Sequence, residues 1–398
     1  MRLALAKATW QIPPTYFAVQ HALALQEETP DIDVHAFTFA SDVRDPAVRE
    51  RIPVTDAVPA RLGPFPLSPA SRSRLAWLFQ SRMGHEIRAW SPDVVHQHAA
   101  TWSLPAVHAA RALGVPLVTT LHGADAFGGS LTRASRASAS RIAGRWMQRN
   151  LDAASQESAV VLAVSRYLAD TAVRNGVPAH RLRVHYQGVD TDWFTPAPIP
   201  AEWSHARDHS RELLFVGALT PLKGVMDLLA VSESLALIHP HRLTIVGDGP
   251  LAPQIRRAAA LDPGRVRWVG ALDRAAVRER MRAADALVLP TRTMAGGRAE
   301  AAGLVLLEAQ ACATPVVVNA VGGTPEMMVD GSTGFATRER DPGSLADALT
   351  RILAMPDDEL AEMGCQARRW VVAERSLAAS TRELLGIYRD LTEATPRI

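Results

Sequence analysis

The sequence predicts an α/β protein built from two Rossmann-like domains, each a parallel sheet flanked by helices. Three observations carry this. Short apolar, β-branched runs alternate with longer helical patterns. The alternation fills the first half of the chain and begins again in the second. Between the halves, Thr191 to Arg211 carries Pro196, Pro198 and Pro200 among polar residues, the composition of an interdomain linker.

In chain order, the first half should hold strands at residues 3–6, 34–40, 94–96, 117–121, 160–164 and 182–186. The Pro- and Ser-rich stretch from Arg61 to Arg74 reads as a loop. The second half should hold strands at 213–216, 243–246, 266–269, 286–289 and 316–318, and Ser376 to Thr392 reads as one more helix. The domains are then a first Rossmann-like domain at 1–193, a linker at 194–211, a second Rossmann-like domain at 212–375 and a C-terminal helix at 376–398. In such sheets ligands sit beyond the carboxyl ends of the strands, here in a central cleft.

Bulk composition narrows the function. At 398 residues, 47% hydrophobic and 21% charged, the chain suits two ordinary globular cores. A net charge of +2 is too small to point to nucleic acid. Cys312 and Cys365 are isolated, which fits a reducing cytoplasm and neither a disulfide framework nor a zinc ribbon. The apolar start, Met1 to Lys7, reads as a first strand and not as a signal peptide. No run approaches the roughly 18–20 apolar residues of a membrane span.

Four segments carry chemistry. In the first, Gly303 opens a helix and Glu308 lies about one turn inside it, eight residues after Glu300. A helix N-terminus holds diphosphate through unpaired amides and partial positive charge. A carboxylate one turn in can accept hydrogen bonds from a ribose diol. The plain alternative is two solvated surface glutamates. In the second, a strand ends at Gly217 and Lys223 stands at a strand-to-helix turn, where an ammonium can neutralise a leaving diphosphate. The alternative is a surface lysine beside a turn glycine. In the third, Gly247-Asp248-Gly249-Pro250 follows a strand and lets backbone approach a ligand, or is simply a turn. In the fourth, His122 ends the strand at 117–121, where it can meet a sugar hydroxyl or serve as structure alone.

Together with other segments in the same order, these resemble family 4 of the retaining GT-B glycosyltransferases, and within it a bacterial exopolysaccharide branch of the colanic acid and amylovoran type. The resemblance includes Val94-Val95-His96-Gln97-His98, Thr120-Leu121-His122-Gly123-Ala124-Asp125, Ala163-Val164-Ser165 and Gln187-Gly188-Val189-Asp190 with Phe194. It continues through Lys223-Gly224, Gly247-Asp248-Gly249-Pro250, Ala284-Asp285 with Leu289-Pro290, the Glu300 and Glu308 pair, and Gly322-Gly323-Thr324-Pro325-Glu326.

The resemblance implies a role for each matched residue. Glu308 binds the ribose hydroxyls and Glu300 faces the donor sugar. Lys223 meets the diphosphate with amides near Gly303, Leu304 and Val305, while Gly217 and Gly247 line the donor site. Backbone at Gly270 and Ala271 meets the base, and His122 contacts the sugar near its 6-hydroxyl. His122, Lys223 and Glu300 form the catalytic set. Tyr16, His98 and Asp125 are acceptor-side candidates. The resemblance further implies retention of configuration, no metal, no cofactor beyond the nucleotide sugar (UDP-sugar favoured, GDP-sugar allowed), and a glycan, lipid-linked or small-molecule acceptor. Where the family carries an arginine five residues before the lysine, this chain has Ala218, so Arg292 and Arg298 are the nearest replacements. The glycine usual after the first glutamate is Ala301.

Five arginines lie between Arg133 and Arg149 with no acidic residue, and Arg141, Arg145 and Arg149 share one helix face. They fit an anionic acceptor or peripheral contact with an anionic inner membrane face, or a solvated helix. Three rivals complete the reading. His96-Gln97-His98 looks like a metal pair of an amidohydrolase, which would require one barrel. A sugar-nucleotide epimerase shares the architecture, and Ala218 would suit a catalytically weak binding protein.

Overall fold

The computed structural model describes residues 1–12, 16–127, 138–197 and 210–394, apart from the side chains of Tyr16 and of residues 138–141. The chain divides into two compact units, Met1–Gln187 with Leu377–Ile398, and Gly188–Ser376.

The sheet of the first unit contains β1 (Arg2–Ala6), β2 (Asp33–Thr38), β3 (Val54–Asp56), β4 (Val94–His98), β5 (Leu117–Leu121), β6 (Val160–Ala163) and β7 (Leu182–Val184). All pairs are parallel, in the order β7-β6-β5-β4-β1-β2-β3. Central strands such as β4 and β5 are buried at every position, as strands covered on both faces must be. Successive side chains alternate between faces. Leu3 and Leu5 of β1 therefore join one core cluster with Val94, Val118 and Leu162, while Ala4 and Ala6 join the other with Phe37, Val95 and Leu117.

The first cluster also takes Leu384, Leu385, Ile387 and Tyr388. Helix α1 (Gln20–Glu28) accordingly packs against the chain's last helix, Leu377–Ala394, which belongs to the first unit. The burial of these four residues follows helical spacing, and that is why a tail some two hundred residues away in sequence returns to this core.

The second unit has its own sheet of β8 (Arg211–Val216), β9 (His241–Val246), β10 (Val266–Gly270), β11 (Ala286–Leu289), β12 (Val316–Asn319) and β13 (Gly334–Thr337). It is wholly parallel, in the order β10-β9-β8-β11-β12-β13. Counted within each unit this is the doubly wound order 3-2-1-4-5-6, with a seventh strand added at one edge of the first sheet.

Two expectations need correction. The stretch from Arg61 to Arg74 is more than a loop. It holds a two-residue antiparallel ribbon, Arg61–Leu62 with Phe65–Pro66, and a short helix, Pro69–Arg74. The Ser68 side chain accepts from the Ser71 amide, and Pro69 stands at the start, a helix signal masked by the local composition. The edge strands β3 and β13 were not anticipated, being only three and four residues long and partly polar or glycine-led. Of the anticipated linker, residues 191–197 fold with the second unit, and 198–209 lie outside the described residues. Among the described residues no helix is long and apolar enough to cross a membrane.

Candidate active site

In the second unit the chemistry gathers at the carboxyl ends of the strands. After β8 the chain passes Gly217, makes a 3-10 turn at Pro221–Lys223 and enters helix α2 (Val225–Leu235) through the left-handed Gly224. Lys223 Nζ lies 2.5 Å from Glu300 Oε2, with the two side chains 18% and 14% exposed. A Cβ on Gly217 would sit 3.8 Å from Lys223 Cδ, and one on Gly303 would sit 3.6 Å from Glu300 Cγ. Gly217, Lys223, Glu300 and Gly303 are thus neighbours.

Gly303, at φ 81°, precedes helix α3 (Leu304–Ala311). The amides of Leu304 and Val305 have no hydrogen bond among the described residues, as expected of a first helical turn. Glu308 follows one turn later. It is half-buried, and its carboxylate makes no hydrogen bond or ion pair among the described residues. Burial pushes its carboxyl up to about 7, with Arg274 opposing the shift. The solvated-surface alternative therefore fails for both glutamates.

Gly247 is needed for packing as much as for any ligand. Its φ is 138°, and a Cβ there would lie 1.9 Å from the Gly217 carbonyl oxygen. Its amide donates to the Gly270 carbonyl at 2.8 Å. This draws the ends of β8, β9 and β10 together. Nothing lies within 4 Å of where a Gly270 Cβ would stand, and Ala271 beyond it is exposed.

The two replacement arginines separate. Arg292 forms an ion pair with Asp227 on α2. Arg298 is exposed and has no ion pair among the described residues, so it is the freer cation.

The first unit holds His122 and His98. His122 follows β5, half-buried, its ring 4.4 Å from that of Phe17. His98 Nδ1 lies 3.0 Å from His122 Nε2, and Gln187 Nε2 lies 3.3 Å from His122 Nδ1. Burial holds the His122 imidazole well below its usual range, and the neighbouring Lys7 adds to this.

Two acceptor-side expectations are corrected here. His98 is 3% exposed and stacks on His96 at 4.2 Å, so it is enclosed in the unit. Asp125 is 5% exposed, and its carboxylate accepts the amides of Ala100, His122 and Gly123. It shapes the loop that carries His122. The Tyr16 side chain lies outside the described residues. His96 is no metal ligand: its nitrogens meet Tyr388 and Thr120, at 2.5 and 2.7 Å. Among the described residues no cluster suits a metal ion.

Comparison with known proteins shows the family. Residues 17–193 match the profile described as Glycosyltransferase Family 4, and residues 202–370 match Glycosyl transferases group 1. A D-inositol 3-phosphate glycosyltransferase of Frankia alni is 32% identical over 358 residues, covering 82% of each chain. The chain belongs to the glycosyltransferases of family 4. A glycogen synthase of Mycobacterium tuberculosis is 34% identical to this family 4 chain over 68% of its length, and the chain spans 62% of that relative. The solved structure of Anabaena HepE with UDP-glucose superposes at a TM-score of 0.73, with 19% identity and coverage of 98% of this chain and 100% of that one.

Sequence reasoning missed one feature of this family 4 chain. Arg274, Arg278 and Arg282, spaced by four on helix α4 (Arg274–Ala283), hold the segment that follows Gly188. Arg274 pairs with Asp190 at 3.3 Å, Arg278 donates to the Trp193 carbonyl, and Arg282 donates to the carbonyl and hydroxyl of Thr195. Arg274 is also the cation that acts on Glu308. The repeat of four was the available signal.

Proposed function

We propose that the chain transfers a hexosyl unit from a nucleotide-diphosphate sugar to a glycan, lipid-linked or small-molecule acceptor, with retention of configuration. The observation that carries this is the grouping, in one unit, of the Lys223–Glu300 pair, the open first turn of α3 and the Glu308 carboxylate, which has no partner among the described residues. Glu308 accepts from the ribose diol. Lys223, with the Leu304 and Val305 amides and Arg298, takes up charge on the departing diphosphate, so no metal is called for. His122 serves the transferred sugar. The acceptor hydroxyl attacks from the face the diphosphate leaves, and a phosphate oxygen takes its proton. HepE's UDP-glucose supports UDP over GDP as the carrier. The pathway would be exopolysaccharide or other cell-surface glycan or natural-product synthesis, in the cytoplasm.

A thermal-shift series with UDP and GDP tests the donor reading. One nucleotide should raise the melting temperature of the wild type, by about 2.7 kcal/mol of stabilisation at 100 times its Kd. Because Glu308 must be ionised to accept and its pKa is about 7, affinity should fall as pH drops below 7. The fall should approach about tenfold per pH unit, and Glu308→Gln should flatten that profile. A profile flat in the wild type would remove Glu308 from the ribose site.

A second reading, a binding protein with little turnover, is favoured by Ala218 and by the pairing of Arg292 with Asp227. Nucleotide release from a sugar nucleotide that binds, with and without acceptor, separates the two.

We also propose peripheral contact with an anionic membrane through the stretch from Arg133 to Arg149. Arg133, Arg136 and the Arg141 side chain lie outside what the structure describes. Arg145 and Arg149 are exposed on the helix Ser138–Glu157, together with Ile142 at 60%. Replacing Arg145 and Arg149 by Glu should weaken sedimentation with phosphatidylglycerol vesicles by at least about tenfold at low salt. Equal sedimentation would assign the arginines to a solvated face.

A further inference from the structure

The loop from Pro290 to Glu300 joins β11 to α3, and both its ends return to the turn that carries Lys223. At its start the Arg292 amide donates to the Leu222 carbonyl at 2.8 Å, and the Arg292 guanidinium pairs with Asp227 on α2. Pro290 packs on the same turn so closely that a Cβ on Gly224 would lie 1.7 Å from the Pro290 carbonyl oxygen. At its end Glu300 meets Lys223, and the Glu300 carbonyl accepts the Gly323 amide at 2.9 Å. Between these ends, residues 294–298 close on themselves, because the Met294 amide donates to the Arg298 carbonyl at 2.7 Å. This excursion begins and ends in one place. Thr293, at its base, therefore sets where the chain re-enters toward Glu300.

Thr293 is held from the edge of the sheet. Glu339, two residues beyond β13, accepts the Thr293 amide on one carboxylate oxygen at 2.6 Å and the Thr293 hydroxyl on the other at 3.0 Å. The Arg340 guanidinium donates to the Thr293 carbonyl at 2.9 Å. Arg340 sits at φ 57°, a left-handed backbone that a long side chain rarely adopts. Such strain persists only where the surrounding contacts enforce it. The Glu339 side chain is 25% exposed, so both of its charge-assisted bonds are partly shielded from water.

We propose that Glu339 is a positioning residue for the Lys223–Glu300 pair: by holding Thr293 it fixes the base of the loop that delivers Glu300 to Lys223. This rests on the donor reading above and deepens it. In that reading Lys223 and Glu300 meet the sugar nucleotide, whereas Glu339 acts only through Thr293. An amide and a hydroxyl on one residue call for two acceptors on one rigid group. A carboxylate supplies both, and a glutamine side chain supplies only one oxygen. All the residues of this arrangement belong to the second unit.

Two readouts test this, one with turnover and one without. Glu339→Ala should lower kcat for UDP release from UDP-glucose by about tenfold. The dissociation constant of UDP should stay within about twofold of the wild type, since Glu308 and the first-turn amides of α3 are untouched. Glu339→Gln, which keeps one acceptor oxygen, should recover most of the loss. Thr293→Val, which keeps the amide and loses the hydroxyl, should fall between, and adding it to Glu339→Ala should cost nothing more. The second readout uses the fact that the chain has only two lysines, Lys7 and Lys223. Labelling with acetic anhydride, followed by mass spectrometry, reports Lys223 directly, with Lys7 of the first unit as reference. Lys223 should label about tenfold faster in Glu339→Ala than in the wild type. Unchanged Lys223 labelling overturns the proposal. So does an unchanged kcat in a folded Glu339→Ala, an equal loss of kcat and UDP affinity, or effects of Thr293→Val and Glu339→Ala that multiply. Should the wild type release no UDP from UDP-glucose and bind neither UDP nor GDP, the donor reading fails, and the labelling still decides whether Glu339 positions the pair. If Glu339→Ala does not fold, Glu339→Gln and Thr293→Val carry the decision, and no change in either overturns it.

Discussion

Replacing Lys223 by Ala should cut turnover of the sugar nucleotide by about 10²–10³ while the protein stays folded. The Lys223 ammonium, 2.5 Å from Glu300, is mostly covered. A charge held in a covered site acts on a developing anion with little solvent screening and without reorganisation. Its loss should appear in kcat more than in donor affinity, because the diphosphate gains charge as the sugar departs. Nucleotide affinity should change less, since Glu308 and the first-turn amides of α3 remain. The unpaired Glu300 left behind should lower stability by only about 1–3 kcal/mol. Unchanged kcat in a folded variant would remove Lys223 from the catalytic set. Arg298→Ala, an exposed site, should give a smaller loss.

Mild acid should weaken the first unit strongly. His21, His96 and His98 are 5%, 1% and 3% exposed, and burial holds each well below the usual imidazole range. All three are neutral in the fold, and each unfolded imidazole takes a proton below about pH 6.5. Stability is therefore complete above that pH and falls as the pH drops from there toward the folded-state pKa values. Each group contributes a slope of about 1.4 kcal/mol per pH unit within that window. Three acting together approach about 4 kcal/mol per pH unit, a large part of an ordinary domain's stability. Native-state hydrogen exchange of β1, β4 and β5 amides, corrected for intrinsic rates, should show this steep loss. His96→Gln should reduce the slope by about 1.4 kcal/mol per pH unit. Equal opening free energies at pH 7 and pH 5 would show that these histidines titrate normally.

Both observations bear on how much the chain discloses. The positions of β5 and β11 match expectation to the residue, because apolar and β-branched runs bounded by turn signals have few other solutions. The edges were less legible. β3 and β13 owe their structure to a neighbouring strand and carry little periodicity of their own. Ala218 shows that a charge is missing, yet only Asp227 beside Arg292 reveals which candidate arginine is occupied and which has no ion pair among the described residues. His98 and Asp125 looked equally available as polar residues near strand ends. Their burial, and the amides that saturate Asp125, are tertiary facts.

Local pattern alone determined two doubly wound units, the glycine that opens α3 and the glutamate one turn beyond it, since these depend on residues close together in the chain. Contacts between distant residues decided the rest. The meeting of Lys223 with Glu300, the approach of Arg274 to Glu308 and the line from Tyr388 through His96 and His98 to His122 join positions up to 292 residues apart. No spacing rule reaches that far. Burial and hydrogen bonding are set by what packs on a side chain, and that is known only once the chain has folded back on itself.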